Sequence, residues 1–206
     1  MTGFIFNNIM WMTIISIHLN DFVSPSLIKE VWVVKSNSSL KIDGKTNINS
    51  FSCTIDSYGK NDTLICQKGN QSAELFAVSS TLIIPVDDFD CHHRIMTKDL
   101  QKTLKSDQFP YMLINFKHFS RLPSDIRPHT EDFYSIAEIT LAGSTKKFTI
   151  YFKAKSIQQN TIELVGQKII LFSDFHLKPP SKLGGTIKVR NELDVQFNLN
   201  LKRVAW

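Results

Sequence analysis

Enzyme signatures are absent from the sequence. It contains no glycine-rich phosphate loop and no Gly-x-Ser-x-Gly turn that would present a nucleophilic serine. The two adjacent carboxylates, Asp87 and Asp88, follow each other at the end of a predicted strand, where successive side chains point to opposite faces. We therefore predict a protein that is not an enzyme and that has neither catalytic residues nor a cofactor.

Long runs of charge and long apolar runs are also missing. The 24 lysines and arginines and the 19 aspartates and glutamates give a net charge of +5, and the basic residues are scattered along the chain. This pattern is typical of a solvated basic surface, so we predict no nucleic-acid partner. The most apolar segment, residues 9–19, is shorter than the roughly 20 residues that span a bilayer, which predicts no stable membrane span.

The N-terminal segment has no lysine or arginine before Lys29. Its apolar run has the length of a signal-peptide core, although a positively charged start and a small-residue cleavage site are both missing. We predict that residues 1–26 form a signal peptide or, alternatively, an apolar N-terminal segment, and that residues 27–206 form a single domain. A signal peptide would export the protein to the periplasm or cell envelope.

Alternation of apolar and polar residues dominates the chain after residue 30. Residues 187–201 show it best, because their odd positions are apolar except for Asn191 and their even positions are polar. A strand of this length with one apolar face is typical of a strongly curved antiparallel sheet, usually a barrel. The pattern therefore predicts an all-β fold. Other predicted strands cover residues 32–42, 81–87, 111–118 and 161–173.

Two residues mark irregular strands. Pro85 cannot donate a backbone hydrogen bond, so its strand is expected to lie at an edge or to contain a bulge. Gly166 lies in the middle of strand 161–173, where we expect a bulge or a bend.

Two hairpins are predicted from matching apolar faces. In the first, the turn at residues 142–145 joins strands that face each other with a consistent apolar side. The expected pairs there are Leu141 with Phe148, Ile139 with Ile150, and Ala137 with Phe152. In the second hairpin, pairing of Ile55 with Leu64 places Cys53 directly opposite Cys66.

One helix is predicted at residues 97–107. Thr97 suits an N-cap, and Pro110 lies just beyond the end as a stop. A helix of about ten residues is marginal alone in water, so its apolar stripe is expected to pack on the rim of the sheet. The stripe consists of Met96, Leu100 and Leu104.

The three cysteines predict a structural disulfide if the protein is exported. The hairpin favours a bond between Cys53 and Cys66, and a bond between Cys53 and Cys91 is the alternative; one thiol stays free in either case. Three reduced cysteines are expected if the protein is not exported. Because Cys91, His92 and His93 are consecutive, their side chains cannot all face one ion, and we predict no metal site.

Four segments carry a resemblance to a known family. They are "NSSLKIDGKTNINSFSC" (37–53), "IPVDDFDC" followed by "MTKDLQKTLKSDQFPYMLINF" (84–116), "AEITLAGSTKKFTIYFKA" (137–154) and "DFHLKPPSKLGGTIKVRNELDVQFNLNL" (174–201). In this order and spacing they resemble the YceI-like family of polyisoprenoid- and lipid-binding proteins, in the variant of Bacteroidetes-type exported proteins. The usual Arg-Asp-x-His-Leu before the helix is replaced by "CHHRIMTKDL", so the head-group contacts of the family are not carried over.

The resemblance implies an extended antiparallel β-barrel of about eight strands, lipocalin-like in shape, with the short helix near residues 97–107 as a cap. It also implies a non-catalytic carrier whose barrel interior holds a polyisoprenoid or another long apolar lipid. The alternation fits a filled core equally well, so the alternative is a secreted structural or interaction β domain without a ligand. A dimer is compatible with the sequence. The residues predicted to contact the ligand are Phe51, Ile84, Met96, Leu100, Leu104, Ile114, Phe116, Ile139, Ile150, Phe152, Phe197 and Leu199.

Overall fold

The structure is a computed structural model that describes residues 29–68, 75–127, 133–182 and 185–204. The predicted N-terminal segment 1–26 lies outside the described residues. The strands are β1 (Lys29–Val34), β2 (Ser39–Thr46), β3 (Ser50–Ile55), β4 (Thr63–Lys68), β5 (Phe76–Ser79), β6 (Leu82–Pro85), β7 (Tyr111–Phe119), β8 (Phe133–Leu141), β9 (Ser144–Gln158), β10 (Thr161–Leu171), β11 (Ser181–Lys182) and β12 (Ile187–Arg203). The α-helix is α1 (Arg94–Thr103), and 3-10 turns form at Val86–Asp88, Pro123–Asp125 and Phe172–Phe175.

Eight antiparallel strands close into a barrel. Their order is β1, β4, β5, β7, β8, β9, β10 and β12, and β12 returns to β1 through pairs such as Val34 with Leu201. The closure is reinforced by an ion pair of 3.1 Å between Arg203 and the buried carboxylate of Glu30, which also accepts a hydrogen bond of 2.9 Å from the indole of Trp32. The all-β antiparallel barrel with a short helix is therefore confirmed.

Shorter strands extend one end of this barrel. β12 is 17 residues long, and two strands pair along the same edge of it. Residues 189–198 pair with β2, and residues 201–203 pair with β1. β3 pairs with β2. β6 joins β7 in the same way, beside β5. An isolated bridge between Thr54 and Asp90 and the disulfide Cys53–Cys91 then connect β3 to the segment after β6. We call this the helix end, because α1 connects β6 to β7 there.

Burial follows the predicted alternation in the long strands. In β12 the odd residues from Leu193 to Leu201 are buried and the even ones are more exposed, and the strand covers the predicted range 187–201. The single strand expected at residues 32–42 is instead two strands, β1 and β2, because the chain turns at residues 35–38. β6 pairs with β7 and ends at Pro85, which agrees with the expected edge position.

The β8–β9 hairpin forms, but its register differs from the prediction. A two-residue turn at Ala142 and Gly143, both with positive φ (50° and 78°), joins the strands and pairs Leu141 with Ser144. Such tight turns match the twist of antiparallel strands. Ala137 therefore faces Phe148 rather than Phe152. The shift is an even number of residues, so the predicted inner face is kept.

The predicted hairpin between residues 51–55 and 64–66 is wrong. β3 pairs with β2, whereas β4 pairs with β1 and β5. The segment between β3 and β4 lies instead against residues 36 and 38, where the backbone N–H of Tyr58 donates to the carbonyls of Ser36 and Ser38, both at 2.9 Å. Cys53 is consequently bonded to Cys91, the alternative partner, and Cys66 is a buried free thiol.

The helix begins and ends earlier than predicted. α1 covers Arg94–Thr103 rather than 97–107, and His93 is the N-cap. The hydroxyl of Thr97, expected to cap the helix, instead accepts a hydrogen bond of 3.0 Å from the backbone N–H of Cys91. Lys105 has a positive φ of 56°, which ends the helical path. The stripe of Met96, Leu100 and Leu104 packs on the core as expected.

Gly166 lies in regular pairing between Phe152 and Phe197, and the irregularity of β10 lies instead between Glu163 and Leu164. A Cβ atom on Gly166 would lie 2.5 Å from the ring of Phe152. The glycine is therefore used for a close approach of an aromatic ring rather than for a bulge.

The buried thiol of Cys66 is expected to be unreactive in the folded protein. Desolvation and, to a smaller extent, the charge of Glu30 raise the pKa of Cys66 from 9.0 to about 12, so the reactive thiolate is scarce even at pH 9. We expect a thiol reagent at pH 9 to label the native protein slowly and to label one thiol rapidly in denaturant without reductant. Fast labelling of the native protein would contradict the burial, and three thiols in denaturant would contradict the disulfide.

Candidate functional site

The middle of the barrel is filled by phenylalanine side chains. Their ring centroids lie 5.0 to 6.4 Å apart in a continuous network, and each ring is at most 2% exposed. We call this group the phenylalanine cluster; its members are Phe116, Phe119, Phe133, Phe152 and Phe197. Small residues beside it, Ser135, Ala137 and Gly166, leave room for the rings on the inner face.

A small void lies between strands β1, β2, β3, β6, β7 and β12. Its volume is about 30 Å³, and its walls include Leu40, Ile55 and Leu82. A space of this size holds little more than one water molecule. The interior described here is thus packed rather than open along its length.

A larger apolar cleft opens at the helix end. Its volume is about 260 Å³, and it lies between α1, the β2–β3 hairpin, the 3-10 turn Phe172–Phe175 and the start of β12. Its lining residues are Thr46, Ile48, Asn49, Ser50, Phe51, Cys53, His93, Ile95, Met96, Asp99, Leu100, Phe172, Pro180, Ile187 and Val189.

The floor and the mouth of the cleft differ in exposure. Cys53, Leu100 and Phe172 are at most 5% exposed and form the floor of the cleft. At the mouth, Ile48 and Ile95 are each 61% exposed, one on the β2–β3 turn and the other on α1. Exposed isoleucines on both sides of an apolar depression are typical of a ligand entrance or a contact surface.

The position of α1 over the cleft is fixed by contacts of the segment before it and of the helix itself. The disulfide ties Cys91, three residues before the helix, to β3. Asp90 accepts a hydrogen bond of 2.8 Å from the backbone N–H of His92, and Gln101 donates to the carbonyl of Asp87 at 3.3 Å. These contacts hold the helix that contributes Met96 and Leu100 to the lining of the cleft.

The structure brings the predicted ligand contacts to three different places. Phe51, Met96 and Leu100 line the cleft. Ile84, Ile114, Phe197 and Leu199 line the small void. The remaining five, Leu104, Phe116, Ile139, Ile150 and Phe152, are buried in the core and line neither cavity. Contact of any of these residues with a ligand stays a prediction.

Several apolar residues of the cleft were missed by the sequence reasoning. Ile187 and Val189 lie on the same face of β12 as the predicted residues, and following that face beyond Asn191 would have found them. Ile48 and Ile95 lie in a turn and at a helix start, where alternation gives no signal. Phe172 follows the end of β10 and was included in strand 161–173 without an assigned face.

The side chains of His92 and His93 are both exposed, and Cys91 is engaged in the disulfide. Within the described residues, no group of three or more His, Cys, Asp and Glu side chains is placed to hold a metal ion. Among the described helices, none is long and apolar enough to cross a membrane.

The comparisons with known proteins find similar structures but no similar sequences. No family model matches the chain, and no curated protein is significantly similar in sequence. BcnA from Burkholderia cenocepacia is 15% identical, with 79% of this chain and 95% of that chain covered and a TM-score of 0.57. A polyisoprenoid-binding domain from Saccharophagus degradans, implicated in plant cell wall breakdown, is 11% identical, with coverage of 84% and 97% and a TM-score of 0.55.

A variant of the Campylobacter jejuni YceI protein is 12% identical, with 71% of this chain and 83% of that chain covered and a TM-score of 0.50. These likenesses concern the fold. The YceI-like barrel that the sequence resemblance implied is confirmed as the fold of this chain.

Proposed function

We propose that this protein is a non-catalytic carrier for an isoprenoid or another apolar lipid, which enters through the cleft at the helix end. The cleft is the observation that carries the proposal, because its walls are mainly apolar and its mouth is open. Binding sites for apolar molecules are typically concave and hydrophobic with few polar anchors. The shared fold with a polyisoprenoid-binding domain supports the same class of ligand.

The filled barrel interior favours a second candidate function. The phenylalanine cluster leaves little free space in the middle of the barrel, as expected for a structural or interaction domain that works through its surface. Extraction of the purified protein with organic solvent, followed by mass spectrometry, distinguishes the carrier from the interaction domain. Near-stoichiometric lipid supports the carrier, whereas a clean extract and no uptake of added isoprenoid support the interaction domain.

We also propose that the protein is exported to the periplasm or cell envelope. The support is the disulfide between Cys53 and Cys91, because such bonds persist mainly in oxidising compartments. Cell fractionation followed by titration of thiols in denaturant without reductant tests this proposal. A cytoplasmic protein with three reduced cysteines would contradict it.

Replacing Leu100 with serine is expected to weaken retention of the apolar ligand at least tenfold. The side chain forms part of the cleft floor, and losing its buried carbon atoms removes about 2 kcal/mol of contact. The measurement is the amount of co-purified or added isoprenoid that remains bound after gel filtration. Met96→Ser serves as a second variant, since Met96 lines the cleft but is only partly buried and its replacement disturbs the fold less.

The matched control is His92→Ser, because His92 precedes the same helix, is exposed and does not line the cleft. It is expected to retain ligand as the unchanged protein does. Equal losses for His92→Ser and Met96→Ser, with both proteins folded, would contradict the location of the site.

A further inference from the structure

We propose that the mouth of the cleft docks on the surface of a membrane that contains anionic lipids, with Ile48 and Ile95 inserted among the head groups. This inference rests on the proposed carrier function, because it takes the mouth as the entrance for the lipid, and it adds the surface from which the lipid comes. Three observations support it: two exposed isoleucines, the ordered turn that holds one of them, and the basic outer face of α1.

The mouth of the cleft presents two large aliphatic side chains to solvent. Ile48 on the β2–β3 turn and Ile95 on α1 are each 61% exposed, and both line the cleft. Exposed apolar surface beside a cavity marks a contact with a protein or a membrane. Proteins that lie on a membrane bury such side chains at the boundary between head groups and acyl chains. Two isoleucines on either side of the opening suit this mode of contact.

The turn that carries Ile48 is ordered by side-chain hydrogen bonds. The hydroxyl of Thr46 accepts a hydrogen bond of 3.1 Å from the backbone N–H of Ile48. The side chain of Asn47 donates to the carbonyl of Thr186 and accepts from the backbone N–H of Lys188, both at 2.9 Å. These bonds tie the turn to the start of β12. Because the turn is already ordered, burying Ile48 in a partner costs little additional conformational entropy.

The outer face of α1 is basic. Lys98 and Lys102 follow Ile95 by three and seven residues, so the three side chains lie on one face of the helix. Both lysines and the neighbouring Arg94 are exposed, and within the described residues none of them forms an ion pair. The only acidic residue of α1, Asp99, lines the cleft. Each basic residue close to an anionic membrane strengthens binding by about fivefold.

The composition of this surface favours a lipid surface over an acidic protein. Protein interfaces are depleted in lysine and enriched in tyrosine, tryptophan and methionine. Here the charge comes mainly from lysines, and the exposed apolar part comes from isoleucines. A lysine side chain is a flexible point charge, which suits head-group phosphates that do not occupy fixed positions. We therefore infer that the negative partner of α1 is the head-group layer of a membrane.

The test is co-sedimentation of the full protein with vesicles of phosphatidylcholine, either alone or with one-third phosphatidylglycerol. We expect at least tenfold stronger binding to the anionic vesicles, and weaker binding as the salt concentration rises, because salt screens the lysines. The double variant Lys98→Glu and Lys102→Glu is expected to bind the anionic vesicles at least tenfold more weakly. It is expected to retain isoprenoid in gel filtration as the unchanged protein does, since neither lysine lines the cleft.

The matched charge control is the double variant Lys153→Glu and Lys202→Glu. It changes the net charge by the same amount at exposed positions away from the cleft, and is expected to weaken vesicle binding less than threefold. For the apolar contact, Ile48→Asp is expected to weaken binding at least tenfold. Ile157→Asp is its control, because Ile157 is exposed at the end of β9 away from the cleft, and is expected to change binding less than twofold. Circular dichroism verifies that all variants are folded.

The outcomes separate this inference from the carrier function. Absence of vesicle binding, or equal binding by all variants, overturns the docking surface, and co-purified lipid would then still support the carrier. Equal binding to neutral and anionic vesicles overturns the electrostatic part, and capture of an acidic protein without vesicle binding overturns the lipid partner. If the variants at the mouth alone lose vesicle binding, the docking surface stands, and a clean organic extract would then contradict only the carrier function.

Discussion

Phe152→Ala is expected to lower the free energy of unfolding by about 3–5 kcal/mol, which is the usual cost of truncating a buried phenylalanine. The ring is 1% exposed and contacts the rings of Phe116, Phe133 and Phe197 at centroid distances of 5.9 to 6.4 Å. The ring also packs over Gly166, which has no side chain that could fill the cavity left by Phe152→Ala. The cost includes the cavity that remains when surrounding residues relax incompletely.

Urea denaturation followed by circular dichroism measures this loss. Lys153→Ala is the matched control, because Lys153 is the next residue of β9 and points into solvent. Its effect is expected to stay within about 0.5 kcal/mol, as for most surface substitutions. Similar midpoints for the two variants would show that the ring does not contribute to the core as described.

Removing the disulfide by the double replacement Cys53→Ala and Cys91→Ala is expected to cost about 3–4 kcal/mol. The bond closes a loop of 38 residues, and restricting a loop of that length in the unfolded chain stabilises the folded state by this amount. The effect exceeds that of an ordinary contact because the covalent bond also restricts the unfolded chain. The isolated bridge from Thr54 to Asp90 is then the remaining backbone connection between β3 and the segment after β6.

Reduction of the unchanged protein provides the control. Dithiothreitol is expected to lower its denaturation midpoint to nearly that of the double variant and to leave the double variant unaffected. If three thiols titrate after reduction while the midpoint stays the same, the disulfide does not stabilise the fold.

The barrel could be predicted from the sequence because its strongest signal is local. In β12, alternation alone identifies a long strand and its inner face, and a single residue such as Asn191 does not obscure the pattern. The pairing of strands, in contrast, depends on contacts between residues that are distant in the sequence. Both Cys66 and Cys91 were acceptable partners for Cys53, and the choice follows from the pairing of β3 with β2 rather than with β4, which alternation does not encode.

The candidate site was predictable only in part for the same reason. The helical stripe correctly identified Met96 and Leu100 as residues that face the barrel. The cleft itself is formed by the β2–β3 turn, α1, the turn after β10 and the start of β12, which are distant in the sequence. Alternation also cannot distinguish a hollow barrel from a filled one, because the inner residues are apolar in both. At one point the filling depends on a small residue, because the ring of Phe152 lies where a Cβ on Gly166 would be 2.5 Å away.

The pairing of β1 with β12 has a consequence for how the chain is made. These are the first and last described strands, so the ring of hydrogen bonds cannot be completed while the ribosome is still synthesising the intervening residues. Until then one edge of β1 has no neighbouring strand, and the ion pair between Glu30 and Arg203 cannot form. Topologies with such distant pairings fold slowly, and open strand edges in the intermediates attract other chains. The unpaired edge of β1 is therefore expected to be prone to pairing with other chains until β12 is in place.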